Sequence, residues 1–456
     1  MENFDFRDWL RTIEKSWSKK SGLVISLIFI VFFVNLIKLS FEFDNKSAIT
    51  LAFILAIITS IKWYVDNYRI PKTKKNKIGF IVSIRGGNEQ TKESIKQDFI
   101  DTLKDLLQRG KTGGLFQFIE LPEAISSSVT DRESANRVRI KSRAHYIIYG
   151  RVRDKIVNGK EIYYFELDGE VAHRPIPIVR SEKLAVEFRE LLPKAIQIPK
   201  ENDLYSFEFT SEWMVYVSRY IIAIAAACSG DLEHALKLFD ELDDVLKTRL
   251  TEFKPIAKIK DRVPNHIREI YLAYSTYHYE KWRKDRTEAD LTKVKEHLDT
   301  IPSSARNNVS YYTQMAIYEF VSNRNITTAR DYLHKIKNKD AVWYFNAGFL
   351  DAYEGRLNSA FRKYKKAIRL NLHAEIVNEI EEFMFWVAEN DDNKEQLYYC
   401  LGYYNWKVKG DLEQAINDFL KFLDNANRES SNIEYRRAIE LAEIWVRQVE
   451  AERNAT

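Results

Sequence analysis

The sequence predicts an α+β multidomain chain: a transmembrane helical hairpin, then a small α/β domain, then an α-solenoid of stacked helix pairs. Three observations carry this prediction. Two apolar runs, 22–41 and 48–65, stand near the start of the chain. Between 77 and 192, short β-type segments alternate with stretches of helical spacing. From about residue 203 onward the periodicity is helical throughout. The composition is that of a folded chain: of 456 residues, 45% are hydrophobic and 30% charged, with 9 prolines and 15 glycines. Those values exclude a disordered or collagen-like protein. Two cysteines, Cys228 and Cys400, are too few for a disulfide framework and point to a reducing compartment.

The first run, Gly22 to Ile37, is broken only by Asn35. It reaches the ~20 residues needed to cross ~30 Å of hydrocarbon if it continues past a snorkelling Lys38 to Phe41. The second, Ala48 to Ile61, extends to Val65 past Lys62 and puts Trp63 and Tyr64 where an aromatic belt belongs. The pair occupies 21–66. Glu2, Asp5, Asp8 and Glu14 ahead of it do not suit a signal peptide. Basic residues flank both sides: Arg7, Arg11, Lys15, Lys19 and Lys20 before, Arg69, Lys72, Lys74, Lys75 and Lys77 after. The connector offers only Lys46 against Glu42 and Asp44, so both termini and the soluble domains are expected in the cytoplasm, with the hairpin in the inner membrane. Segment 1–20, with Phe4, Phe6, Trp9, Leu10, Ile13 and Trp17, is amphipathic and suits either a lipid interface or packing on the protein. Through Lys77 there are 13 Lys and Arg against 7 Asp and Glu, a surplus of +6; with +4 overall, the remainder carries −2. A near-neutral soluble part argues against nucleic acid as a partner.

The α/β domain spans 76–200. It opens with a strand at 77–84, followed by a helix over 91–108 with Ile95, Phe99 and Leu103 in register. A strand at 115–121 and a polar helix near 133–143 come next. Strands at 146–152 and 162–171 form a hairpin whose Asn158-Gly159 turn supplies positive φ angles. A helix near 181–192 closes the unit. The stretch from Ala144 to Val152, AHYIIYGRV, together with this element order, resembles the amino-terminal domain of TolB and its relatives FlgO and CsgG. That resemblance implies the fold only.

The helical region, 203–456, repeats itself. Trp343, Tyr344, Ala347 and Gly348 lead to Gly355, Ala360, Tyr364 and Ala367, and Tyr398, Tyr399, Leu401 and Gly402 lead to Gly410, Ala415, Phe419 and Phe422. Further copies contain Gly230, Ala235 and Phe239, and Ala329 and Leu333 with Arg324-Asn325 in place of glycine. These segments resemble the tetratricopeptide repeat, which implies antiparallel helix pairs locked through small residues at the crossing. Ala360 and Ala415 lie 55 positions apart, room for an extra helix near 375–388. Residues 433–449 read as a terminal cap.

Chemistry is sparse. Arg109 to Gly114, RGKTGG, has Asp105 where a phosphate loop needs glycine and follows a helix rather than a strand, so Gly110 reads as a helix C-cap. The eight histidines show no metal-ligand spacing. No catalytic residue, metal or cofactor is expected. Arg85, Gly86 and Gly87 between the first strand and helix are a candidate anion site, with an ordinary β–α turn as the simpler reading. The repeat groove should be lined by Gln314, Tyr318, Phe349, Tyr353, Tyr404 and Lys407, aromatic positions suited to apolar anchors of a protein partner or to inter-repeat packing. The function these features suggest is a membrane-anchored cytoplasmic interaction or sensor protein that recruits a partner through its repeats and meets lipid through residues 1–66. The alternative is a bacterial stress or antiphage effector whose anchor oligomerises and disrupts the membrane, with Ser26 and Asn35 as polar contacts between helices.

Overall fold

The computed structural model describes residues 16–41, 44–86, 99–172, 184, 186–188, 190–191, 196–199, 203–248, 254–370, 374–428 and 432–455. The predicted amphipathic segment before Ser16 lies outside them, as do Gly87 and the first part of the helix expected over 91–108. Contacts divide the chain into two compact units, Met1–Ile270 and Tyr271–Thr456.

In the first unit, α1 (Lys20–Phe41) and α2 (Asn45–Tyr68) pack on one another, and each is long and apolar enough to span a membrane. Most of their side chains are uncovered by protein, Leu39 at 80% and Ile49 at 70% exposure. A core helix of a soluble protein would bury such residues. Asp44 caps α2 by accepting from the Lys46 and Ser47 amides. At the other end of the hairpin the Trp17 carbonyl accepts from Trp63 Nε1 (2.9 Å) and Asn67 Nδ2 (3.1 Å). Within the chain, Ser26 Oγ donates to Gly22 O and Asn35 Nδ2 to Val31 O, each four residues back on its own helix.

The sheet has the order β2-β1-β3-β4-β5. β1 (Ile78–Arg85) runs parallel to β2 (Phe116–Ile119) and β3 (Tyr146–Val157), while β4 (Lys160–Val171) is antiparallel to β3 and β5 (Ile196–Pro199). Helical crossovers join the parallel strands, α3 (Thr102–Gln108) before β2 and α4 (Glu123–Ser126) with α5 (Arg132–Ser142) before β3. Ile81, Ile119 and Ile147 bury one face together with Val129, Ala135 and Val138. Phe80 meets Tyr146, and Phe99 meets Phe165, in two further buried ring pairs. The hairpin closes through Asn158 (φ 53°) and Gly159 (φ 77°), as the sequence predicts. Of the helix expected over 181–192, positions 184, 186–188, 190 and 191 are described and helical. β5 was not legible: Ile-Gln-Ile-Pro is too short to show a period, and its proline is tolerated because the strand lies at the sheet edge.

The first helix pair, α6 (Asp203–Cys228) and α7 (Leu232–Lys247), belongs to this unit rather than starting a new one at 203. The reason is that α6 is apolar on more than one side: it buries Trp213, Val217, Tyr220 and Ile224 and contacts α3, β4 and β5 as well as α7. The unit boundary falls inside the long helix α8 (Lys254–Asp285).

The second unit continues with α9 (Glu288–Thr300) and three further helix–turn–helix pairs: α10 (Val309–Asn323) with α11 (Ile326–His334), α12 (Ala341–Tyr353) with α13 (Leu357–Arg369), and α15 (Gln396–Tyr404) with α16 (Leu412–Asn425). The extra helix α14 (Ala374–Asn390) lies in sequence between the last two, and α17 (Ile433–Ala455) packs against α13, α15 and α16. The glycines explain how the paired helices come so close. A Cβ on Gly348 would stand 2.7 Å from the Tyr364 ring, and one on Gly402 2.6 Å from the Phe419 ring. Arg324 takes the left-handed turn (φ 49°) where the other pairs use glycine. Asp351, 1% exposed, ties α11, α12 and α13 together. It accepts from Arg330 (2.7 Å), Arg356 (2.9 Å), Ser359 Oγ (2.6 Å) and Lys363. Burial alone would favour the neutral acid, but these hydrogen bonds and the Lys363 charge hold its carboxyl far below the usual carboxylate range.

Candidate functional site

The helix pairs of the second unit enclose an apolar cavity of about 160 Å³. Its walls come from six helices, α8 and α10 to α14. Phe320 of α10, Phe345 and Phe349 of α12, and Phe383 of α14 form the aromatic part. Phe320 stands edge-on to Phe349 at 4.8 Å, and Phe349 lies 5.2 Å from Phe383. These rings leave room because Ala316 occupies one wall with a methyl group only. The polar contributors are few. Asn346 donates back to Val342 O. Tyr364 is also on the lining; its hydroxyl has no hydrogen-bond partner among the described residues, and its full burial drives its ionisation well above the ordinary range. Arg283 is largely covered, with 14% of its side chain exposed, and pairs with Glu382 (2.9 Å), Glu280 (3.1 Å) and Glu379 (3.5 Å). Of these carboxylates only Glu379 shares the cavity lining with Arg283, and Arg286, over the Trp282 and Trp386 rings, lies beside the same cluster.

Of the six predicted groove residues, Phe349 alone lines this cavity. Tyr353 is 8% exposed, with its hydroxyl on Asp391 (2.8 Å) and the Lys394 ammonium 4.1 Å above its ring. Tyr404 is 3% exposed and edge-on to Phe345. Gln314 donates to Thr276 Oγ1 (2.7 Å), Tyr318 has Lys295 5.8 Å from its ring, and Lys407 sits over Trp406 and near Glu452. The structure therefore turns Tyr353 and Tyr404 into packing between helices. Sequence reasoning missed Phe320, Phe345, Phe383 and Arg283. The available signal was the helix at 375–388, which the repeat spacing does show. What it covers was not visible.

In the candidate anion loop, Arg85 ends β1 with its Nε unpartnered among the described residues and stands in register with Arg151. The loop beyond Gly86 is outside the described residues. RGKTGG is a clamp rather than a phosphate loop. Gly110 (φ 86°) follows the end of α3, and a Cβ there would stand 1.9 Å from Glu241 Oε1. Arg219 donates to that oxygen (3.0 Å) and to Arg109 O (2.7 Å), while Glu241 Oε2 accepts from the Thr112 amide (2.7 Å). Titratable groups also meet where Tyr220 and His266 (2.8 Å apart) contact Glu187, with Phe239 stacked on the imidazole at 5.2 Å. Helices enclose this knot. Among the described residues no group of three or more His, Cys, Asp or Glu could hold a metal ion. No family model, no curated protein and no solved structure matches the chain.

Proposed function

We propose that this protein is a membrane-anchored adaptor: α1 and α2 cross the cytoplasmic membrane, and helix pairs of the tetratricopeptide type form a solenoid that recruits a protein partner. The observation that carries this reading is the aromatic cavity, set among helices that otherwise offer only packing. About 160 Å³ accommodates one large apolar side chain. Glu379 on the lining favours a basic residue beside that anchor in the partner.

The test fills the cavity. Ala316→Phe in the full-length protein, purified in detergent, should abolish capture of a peptide-array ligand with an apolar residue beside a basic one. Overpacking of this kind costs about 1–3 kcal/mol, so melting of the variant is followed in parallel. A folded Ala316→Phe protein that binds the same peptides with unchanged affinity removes the cavity from the function.

A further inference from the structure

At the end of α2 the rings of Trp63, Tyr64 and Tyr68 cluster, with Tyr68 centred 5.5 Å from each of the other two. Such a cluster marks the level of lipid headgroups. Immediately beyond it lies a cleft of about 840 Å³. One wall is the end of α2 with the chain that follows (Val65, Asp66, Arg69 and Lys72); the other is Glu120 and Pro122, between β2 and α4. Its charges are unevenly engaged. Asp66 accepts from the Trp17 indole N–H (3.1 Å), and Glu120 is paired with Lys104 (2.6 Å). Arg69 and Lys72, in contrast, have no carboxylate within ion-pair distance among the described residues. The same holds for Lys74 and Lys75 just beyond them. The cleft thus holds two cations without an ion pair among the described residues, with Asp66, whose indole partner leaves it charged, as the one carboxylate not already paired to a lysine, beside an apolar shoulder of Val65, Ile70 and Leu121. With α1 and α2 spanning, this is the level of the bilayer phosphates.

We propose that this cleft is a binding site for an anionic phospholipid, with Arg69 and Lys72 on the headgroup phosphate and the apolar shoulder against the start of the acyl chains. The proposal rests on the reading that α1 and α2 span the membrane. Anchor and lipid site would then meet at the point where α2 hands over to the α/β layer, so the lipid orients the cytoplasmic domains against the bilayer.

The test uses the full-length protein released from detergent into native mass spectrometry. Phosphatidylglycerol should remain bound where phosphatidylcholine does not. Removing one cation near an anionic lipid weakens binding about 5-fold, so Arg69→Gln/Lys72→Gln should lose about 30-fold in phosphatidylglycerol affinity. Lys74→Gln/Lys75→Gln outside the cleft is the control, and melting confirms that both variants fold. Equal losses in the two double variants would overturn the site in favour of diffuse surface attraction. Displacement of the lipid by millimolar inorganic phosphate would overturn a lipid occupant in favour of a small-anion site. Alkaline extraction of membranes separates the two levels of the argument. Protein that washes off refutes the spanning reading, whereas protein that stays in the bilayer without preferring phosphatidylglycerol refutes the cleft alone.

Discussion

Replacing Glu241 with alanine should open the loop at 109–114 without unfolding the chain. Glu241 and Arg219 are 9% and 5% exposed at their side chains and 3.0 Å apart. Loss of the carboxylate leaves the Arg219 guanidinium buried with only the Arg109 and Leu107 carbonyls, and orphans the Thr112 amide. Breaking one side of a buried pair costs about 3–5 kcal/mol, because the remaining charge can neither be solvated nor matched. The loss falls on the contact between the loop and the α6–α7 pair, so the readout should be local. Arg109 and Lys111 are exposed, and trypsin can cut at them only when the loop detaches. If cleavage follows the open population, about 3 kcal/mol raises its rate roughly 150-fold. Glu233→Ala, which removes an exposed i,i+4 pair with Lys237, should change the rate less than about 2-fold. Arg219→Met/Glu241→Leu should recover part of the loss, since two apolar side chains need no counter-charge. Wild-type cleavage kinetics in Glu241→Ala would refute the clamp.

Four further outcomes follow from the same geometry. Gly402→Ala places a Cβ 2.6 Å from the Phe419 ring and should cost about 1–3 kcal/mol in denaturant titrations. Gly410→Ala meets no atom within 4 Å but must hold φ at 72°, and should cost about 1–2 kcal/mol by the same measurement. Burial pushes the Asp418 carboxyl up to about 6, against the opposing hydrogen bonds from Asn405 and Gln414. The folded chain therefore binds this proton more tightly than the unfolded chain, and the stability it contributes is present at about pH 4 and lost as pH rises through 6. Asp418→Asn should remove up to about 2 kcal/mol of that fall, seen by comparing the two proteins' denaturation at pH 4.5 and 7.5; parallel pH profiles would contradict it. Finally, a cysteine at Asn45 should react with a membrane-impermeant thiol reagent added outside the cell, while a reporter fused after Thr456 works only in the cytosol; a shielded Asn45 with an exported reporter inverts the topology.

Local chemistry was legible wherever it repeats or punctuates the chain. The Asn158-Gly159 turn, the glycines at 230, 355 and 410 with positive φ, and the small residues at 348, 360 and 402 announce a hairpin and helix pairs because their backbone or spacing tolerates little else. Charge asymmetry around the apolar runs carries the topology expectation in the same way. The groove residues fared differently. Tyr353 and Tyr404 stand at positions that repeat spacing alone would turn toward a ligand. Asp391, Lys394 and the Phe320 ring reach Tyr353, Phe345 reaches Tyr404, and both side chains are packed away.

By itself, then, the sequence determined that the chain has two helices able to cross a membrane, the alternating strands and helices of a small α/β layer with its hairpin, and helix pairs, since each depends on neighbours a few residues apart. Tertiary structure alone decided that Arg219 and Glu241 form one clamp with Gly110, which lies more than a hundred residues before either. It also decided that Phe320, Phe349 and Phe383 bound a cavity and that Arg69 and Lys72 have no ion-pair partner among the described residues while Glu120 is taken by Lys104. Burial and pairing are properties of surfaces brought together by folding, and no periodicity along the chain encodes which surfaces will meet.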